Sequence, residues 1–258
     1  MNDFVIDIAV VLLALFFGAL VLCFAGFGIA IASSPLLLLT LDPKNTVVTI
    51  NTVSLAVFLL LIIQNRKNID YGEMRLPIIY GLLGVPFGLV FFEGINNIFL
   101  GLSISILIIC SGVFTYYVRD TKIELSKTKF YLISFFVGTL LTSTGIGGPL
   151  MAVAALTRNW TKDRIRGSLS LYYIFIEGAA VIGYLYTGGF EREVAFFVLI
   201  GLLPAVFGFL IASQLANKSS EEVYKKALLV VIILSAVSYT HLRAHETDSY
   251  LVCRLLLE

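Results

Sequence analysis

The chain has 258 residues, 59% of them apolar and 14% charged, against roughly 45–50% and about 25% in an ordinary soluble domain. That balance excludes a water-soluble globule. Eighteen Lys and Arg against seventeen Asp and Glu leave a net charge of +1, with no broad cationic surface for a phosphate backbone, so nucleic acid is excluded as a partner.

The apolar residues fall into runs, most near the roughly 20 residues that cross a bilayer. In chain order they are 4–41, 46–63, 76–92, 98–118, 130–156, 167–187, 194–216 and 223–236, the last cut short. The pattern predicts an all-α integral membrane protein in contact with lipid. Two runs are interrupted: the first by Gly26-Phe27-Gly28 with Pro35 beyond it, the fifth by Gly145-Ile146-Gly147-Gly148-Pro149. Gly and Pro are where a helix loses its hydrogen-bond ladder.

Residues 237–258 have no membrane character and resemble an in-frame translation of a sequencing-library adapter. The resemblance implies that they are foreign to the natural protein, whose sequence would then diverge after about Ala236, and they are set aside from the functional reading. Both histidines, His241 and His245, and one of the three cysteines, Cys253, fall in this tail. The rest of the chain therefore offers no His-based zinc site and no Ser-His or Cys-His nucleophile. No cofactor or metal is expected, and no enzymatic activity.

Charge counting gives a topology. If every run crosses once, the basic residues outside the tail split evenly, against the excess expected on the cytoplasmic face. If the two interrupted runs are hairpins that return to the side they entered, fourteen basic residues share one side and only Lys44 and Arg192 the other. This arrangement places the N-terminus, with its acidic Asp3 and Asp7, outside and the basic loops in the cytoplasm; the run 130–156 is then re-entrant. It divides the chain into a first repeat (1–118: hairpin 4–41, helices 46–63, 76–92 and 98–118), a linker (119–129) and a second repeat (130–236: hairpin 130–156, helices 167–187, 194–216 and 223–236). An odd number of crossings per half inverts one copy relative to the other. Inverted repeats with helices broken at corresponding places point to a secondary transporter and to its binding site. Gly84 and Gly88, a G-x-x-x-G pair, read instead as a close helix contact, within the molecule or between subunits.

Four segments in order carry a resemblance: G-F-G-I-A-I-A-S-S-P-L-L-L-L-T-L-D-P-K from Gly26 to Lys44, N-R-K-N-I-D from Asn65 to Asp70, G-V-P-F-G from Gly84 to Gly88, and S-T-G-I-G-G-P from Ser143 to Pro149. Over about residues 4–236 the chain resembles the sulfite exporter TauE/SafE family. The resemblance implies a multi-pass transporter of a bacterial or archaeal cell membrane that handles small anions, notably sulfite and organosulfonates. Gly28-Ile29-Ala30-Ile31 departs from members that carry further glycine or phenylalanine there, and the exact anion does not carry over.

Anion binding also has a physical case. A helix resuming after Gly28 or Gly148 presents free backbone N–H groups and its positive dipole end at membrane depth, without a buried Lys or Arg. Hydroxyl and amide groups cluster nearby: Ser33 and Ser34; Thr142, Ser143 and Thr144; Asn51, Thr52 and Ser54. The expected substrate site is thus Gly26, Phe27, Gly28, Ser33, Ser34, Asn51, Thr52, Thr142, Ser143, Thr144, Gly145, Gly147 and Gly148. Against this stands the tendency of Ser and Thr in membrane helices to bond their own carbonyls.

Glu177 is the one acid in the middle of an apolar span, a candidate proton-coupling site or a carboxyl bonded to Tyr172, Tyr173 or Asn51. Arg166, nearest the pore in a basic stretch, is a candidate gating residue or a topology marker. Tyr172 and Tyr173 either line the path or pack. Competing functions are an anion channel and a thiol–disulfide relay through Cys23 and Cys110, which lack a C-x-x-C partner. Oligomeric state is not encoded in these features.

Overall fold

The computed structural model describes residues 2–118, 126–156, 158 and 160–218. Residues 119–125, the expected span 223–236 and the tail 237–258 lie outside them. Among the described residues all regular structure is helical: α1 (Asn2–Ala25), α2 (Ile29–Leu37), α3 (Pro43–Asn65), α4 (Tyr71–Gly94), α5 (Asn97–Val118), α6 (Lys127–Thr144), α7 (Gly148–Leu156), α8 (Lys162–Thr187) and α9 (Arg192–Lys218). Five are long and apolar enough to cross a membrane: Phe4–Phe24, Pro43–Asn65, Tyr71–Gly94, Lys162–Thr187 and Arg192–Ala216. The chain is an all-α membrane protein.

Several helices start before the expected apolar spans. α4 begins at Tyr71 rather than 76 because Asp70 accepts the Glu73 N–H at 3.0 Å, and α8 at Lys162 rather than 167 because Thr161 accepts the Arg164 N–H at 3.4 Å. Capping extends a helix into water past the point where hydrocarbon ends.

Both interrupted runs break where the glycines stand. Gly26, Gly28 and Gly145 have φ of 84°, 97° and 73°, a left-handed conformation that a Cβ disfavours. Beyond the first break α2 turns back along α1: a Cβ on Gly18 would stand 2.9 Å from Ile29 Cγ1 and 3.2 Å from Ser33 Cβ. Beyond the second, α7 returns along α6, bringing Met151 Sδ within 3.8 Å of Ser134 Oγ. At nine residues each, α2 and α7 reach only about 14 Å, less than half the ~30 Å hydrocarbon core.

Each interrupted run starts and finishes at one end of the bundle. Arg158, after α7, lies over the Phe130 ring in the first turn of α6, 4.7 Å from its centroid. At the opposite end Lys44, opening α3, bonds the Glu93 carbonyl at 3.2 Å and covers Phe92, whose ring packs on Tyr184 near the end of α8. Phe4 stacks on Phe196 in the α9 turn that follows. Asp70, Glu73, Arg158 and Arg164 gather at the Phe130 end, where Arg164 pairs with Asp70 and Arg158 with Glu73 at 3.6 Å.

Glycines bring α4 and α6 into backbone contact. A Cβ on Gly84 would stand 2.3 Å from the Phe135 carbonyl oxygen, one on Gly88 2.6 Å from that of Thr139, and one on Gly138 2.2 Å from that of Gly81. The G-x-x-x-G pair is therefore an internal seam between helices. Outward faces carry Leu83, Phe87, Val90, Leu199, Leu203 and Phe207, whereas Ser33, Asn51, Ser54, Thr142 and Glu177 are buried. Apolar outside and polar inside suits hydrocarbon as the solvent.

Candidate functional site

The two breaks meet in the middle of the bundle. A Cβ on Gly148 would stand 2.8 Å from Phe27 Cδ2, and one on Gly145 would stand 3.6 Å from Ala30 Cβ and 3.4 Å from Asn51 Oδ1. Between the breaks lies a cavity whose walls are Gly28 to Ile31 of the α2 first turn on one side and Gly145, Ile146 and Gly148 on the other, closed by Phe27, Phe58, Leu141 and Tyr173. Its volume is about 10 Å³, room for about one water and less than a four-atom oxyanion needs. Among the described residues Glu177 is its one carboxyl-bearing wall residue, and no lysine or arginine lines it.

The α2 first turn is the electropositive wall. The opening N–H groups of a helix have no intrahelical partner, and the N-cap, Gly28, has no side chain to supply one. All four residues of that turn face the cavity, which gives it several amide donors and the positive end of a helix dipole. Gly28 permits this twice over: it takes the positive φ that ends one helix and starts the next, and it leaves the amides uncovered.

The hydroxyls are committed differently from the donor cluster expected. Ser33 donates to Ile29 O at 2.6 Å, Thr52 to Val48 O at 2.7 Å, Thr142 to Gly138 O at 2.9 Å, Ser143 to Thr139 O at 2.9 Å and Thr144 to Leu140 O at 2.8 Å. A hydroxyl has one hydrogen, so these five offer none to a ligand here; back-bonding along the helix won. Thr144 Oγ1 also accepts the Ile146 N–H at 3.3 Å, steadying the second break. Ser34 Oγ is buried with no partner. The missing Cβ of Gly147 faces Leu141 and Val137 of α6, at 3.0 and 3.1 Å, so this glycine serves the α6–α7 turn.

Asn51 is spent in part. Its Nδ2 donates to the Leu141 carbonyl and to the Tyr184 hydroxyl, both at 3.1 Å, and Tyr184 donates onward to the Thr142 carbonyl. Tyr184, absent from the expected site, thus ties α8 to α3 and α6. Glu177 accepts the Ser54 hydroxyl, which also reaches the Asn51 carbonyl at 3.0 Å; its partner is Ser54 rather than Tyr172, Tyr173 or Asn51. Tyr173 donates to the Gly148 carbonyl at 3.2 Å and lines the cavity, while Tyr172 donates to the Ser134 carbonyl at 2.6 Å and packs behind it.

Arg166, the candidate gating residue, stands just before the apolar run 167–187. It is fully buried, its Nε donating to the Cys23 carbonyl at 2.9 Å and its Nη2 to Cys23 Sγ at 3.5 Å. Cys23 ends in the last turn of α1, whose carbonyls the break strips of helical partners, and Gly26 admits the Arg166 backbone: a Cβ there would stand 3.2 Å from Arg166 Cα. Nη1 faces Asp163 at 3.7 Å without a hydrogen bond. Apolar-run counting missed this residue's burial because it stands near the start of its helix, just before the apolar run begins at Gly167.

Two broken helices meeting beside a cavity inside an apolar bundle are the architecture of a membrane transporter. A family model for the sulfite exporter TauE/SafE matches residues 10–239. The chain belongs to that family, whose members are membrane transporters of the sulfite-exporter type. No curated protein and no solved structure matches it.

Proposed function

We propose that the protein exports a small oxyanion, sulfite or an organosulfonate, across the cell membrane by alternating access, with the anion held on the amides of the α2 first turn opposite the second break. The observation that carries this is the uncapped turn Gly28–Ile31 facing the cavity. Oxyanions accept several hydrogen bonds at once, and backbone N–H groups provide them without a counter-ion that would hold the substrate too tightly for release.

The two halves are read as inverted copies, in keeping with interrupted runs that return to opposite ends. The end carrying Asp70, Arg158 and Arg164 faces the cytoplasm, by the excess of Lys and Arg there. Arg166 draws the anion toward the first break and, by holding the Cys23 carbonyl, links that break to α8. Because one charge crossing about 100 mV is worth roughly 2.3 kcal/mol, an anion leaving a negative interior moves downhill. Glu177 then tunes the cycle by protonation without being required for net export.

The test is flux into proteoliposomes of sulfite, sulfonates, sulfate and carboxylates under an imposed potential. Saturable flux of sulfite or sulfonates is expected, without single-channel current. Current steps would replace the transporter by an anion channel, and no flux of any anion would overturn the assignment.

A further inference from the structure

Behind Gly145, a wall residue of the cavity, lies an acceptor that a bare oxyanion cannot satisfy. Asn51 is fully buried, and its amide orientation is fixed because Nδ2 donates to the Leu141 carbonyl, which can only accept. Oδ1 is left as a buried atom with no hydrogen-bond partner. It lies 3.4 Å from the Cβ position of Gly145, while Ala30, from the α2 turn, approaches the same position at 3.6 Å. A ligand seated on that turn therefore has an amide wall on one side and a lone acceptor near the other.

The neighbouring side-chain hydrogens do not reach it: Tyr173 donates to the Gly148 carbonyl and Ser54 to Glu177. Leaving a buried acceptor unsatisfied is costly, and opposing it with a second lone pair is worse. A doubly charged ion would also shed more hydration in a cavity lined, among the described residues, by no lysine or arginine.

Building on the anion-binding proposal above, we infer that the transported species is a singly charged oxyanion bearing its own O–H or N–H donor, recognised by Asn51 Oδ1. Hydrogen sulfite and hydroxyalkyl or aminoalkyl sulfonates have that chemistry; sulfite dianion and plain alkyl sulfonates do not. One end of the ligand accepts from the α2 amides and the other donates to Asn51.

The test is competition against labelled sulfite flux in proteoliposomes by two ligands of equal size, 2-hydroxyethanesulfonate and propane-1-sulfonate, which differ by O–H for CH₃. The hydroxyl compound should compete at roughly tenfold lower concentration, the usual worth of one buried hydrogen bond, and Asn51→Leu should erase the preference. Equal competition on the unsubstituted protein overturns the inference while leaving the anion site standing, and needs no variant to fold. A preference that survives in Asn51→Leu overturns it too. If neither sulfonate competes and sulfite itself does not move, the transporter assignment falls with it.

Discussion

Phe27 and Gly148 touch across the two helix breaks, with Phe27 Cδ2 2.8 Å from where a Gly148 Cβ would stand. This contact joins the two hairpins at the cavity, so it is where a single methyl group bears most directly on their relative motion. Gly148→Ala must displace the Phe27 ring, at a cost of about 1–3 kcal/mol. Transport is expected to fall at least about tenfold, and Phe27→Leu in the same chain to restore part of it. Flux measured in the single and double variants checks both.

The α4–α6 seam is structural and should respond as such. Gly84→Ala drives a Cβ to 2.3 Å from a backbone carbonyl, whereas Gly94 has open space around it. We expect Gly84→Ala to destabilise the detergent-solubilised protein by at least about 2 kcal/mol and Gly94→Ala to change it little. Thermal unfolding of the two variants side by side is the measurement.

Arg166 combines a structural bond with a charge near the break. Arg166→Leu removes the donor to the Cys23 carbonyl and strands it, costing about 1.5–3 kcal/mol. Arg166→Lys keeps the charge and loses the fixed fork of the guanidinium. If Arg166 draws in the anion, Arg166→Lys raises the KM for sulfite with a smaller effect on maximal flux; a change in stability alone would assign it to holding α1.

At the end bearing Asp70, acidification has a defined sign. The Glu73 N–H, and behind it the Arg164 guanidinium, hold the Asp70 carboxyl below its usual 3.8. The stabilisation is therefore present in full above that value and is lost as pH falls through the lower folded value. Asp70→Asn keeps a competent N-cap and deletes only the exposed ion pair, a loss under about 1 kcal/mol. The gap in melting temperature between this variant and the parent should hold at neutral pH and close below about pH 4.

The breaks were legible because glycine and proline mark them at fixed positions, and the membrane character because apolar runs need no partner to be recognised. Bonding was not legible. Whether Thr142 points its hydrogen at a ligand or at Gly138 depends on the local rotamer, and the pairing of Glu177 with Ser54 depends on which faces of α3 and α8 meet. Gly147 and Gly148 are neighbours in sequence, yet one faces α6 and the other Phe27. Arg166 reads as one of four basic residues in a loop-like stretch, and only the close approach allowed by Gly26 buries it.

Glu177→Gln preserves an acceptor for the Ser54 hydroxyl and removes the titratable proton. If Glu177 tunes the cycle, the variant transports with a flattened pH profile; an unchanged profile would confine Glu177 to packing. Flux against pH at a clamped membrane potential makes the comparison.

The most direct measurement is a crystal structure with 2-hydroxyethanesulfonate bound, its sulfur placed by anomalous scattering. Sulfonate oxygens should lie within hydrogen-bond distance of the Ile29, Ala30 and Ile31 N–H groups. A sulfonate bound instead against the Arg166 guanidinium, with the α2 turn bare, would contradict recognition by backbone amides.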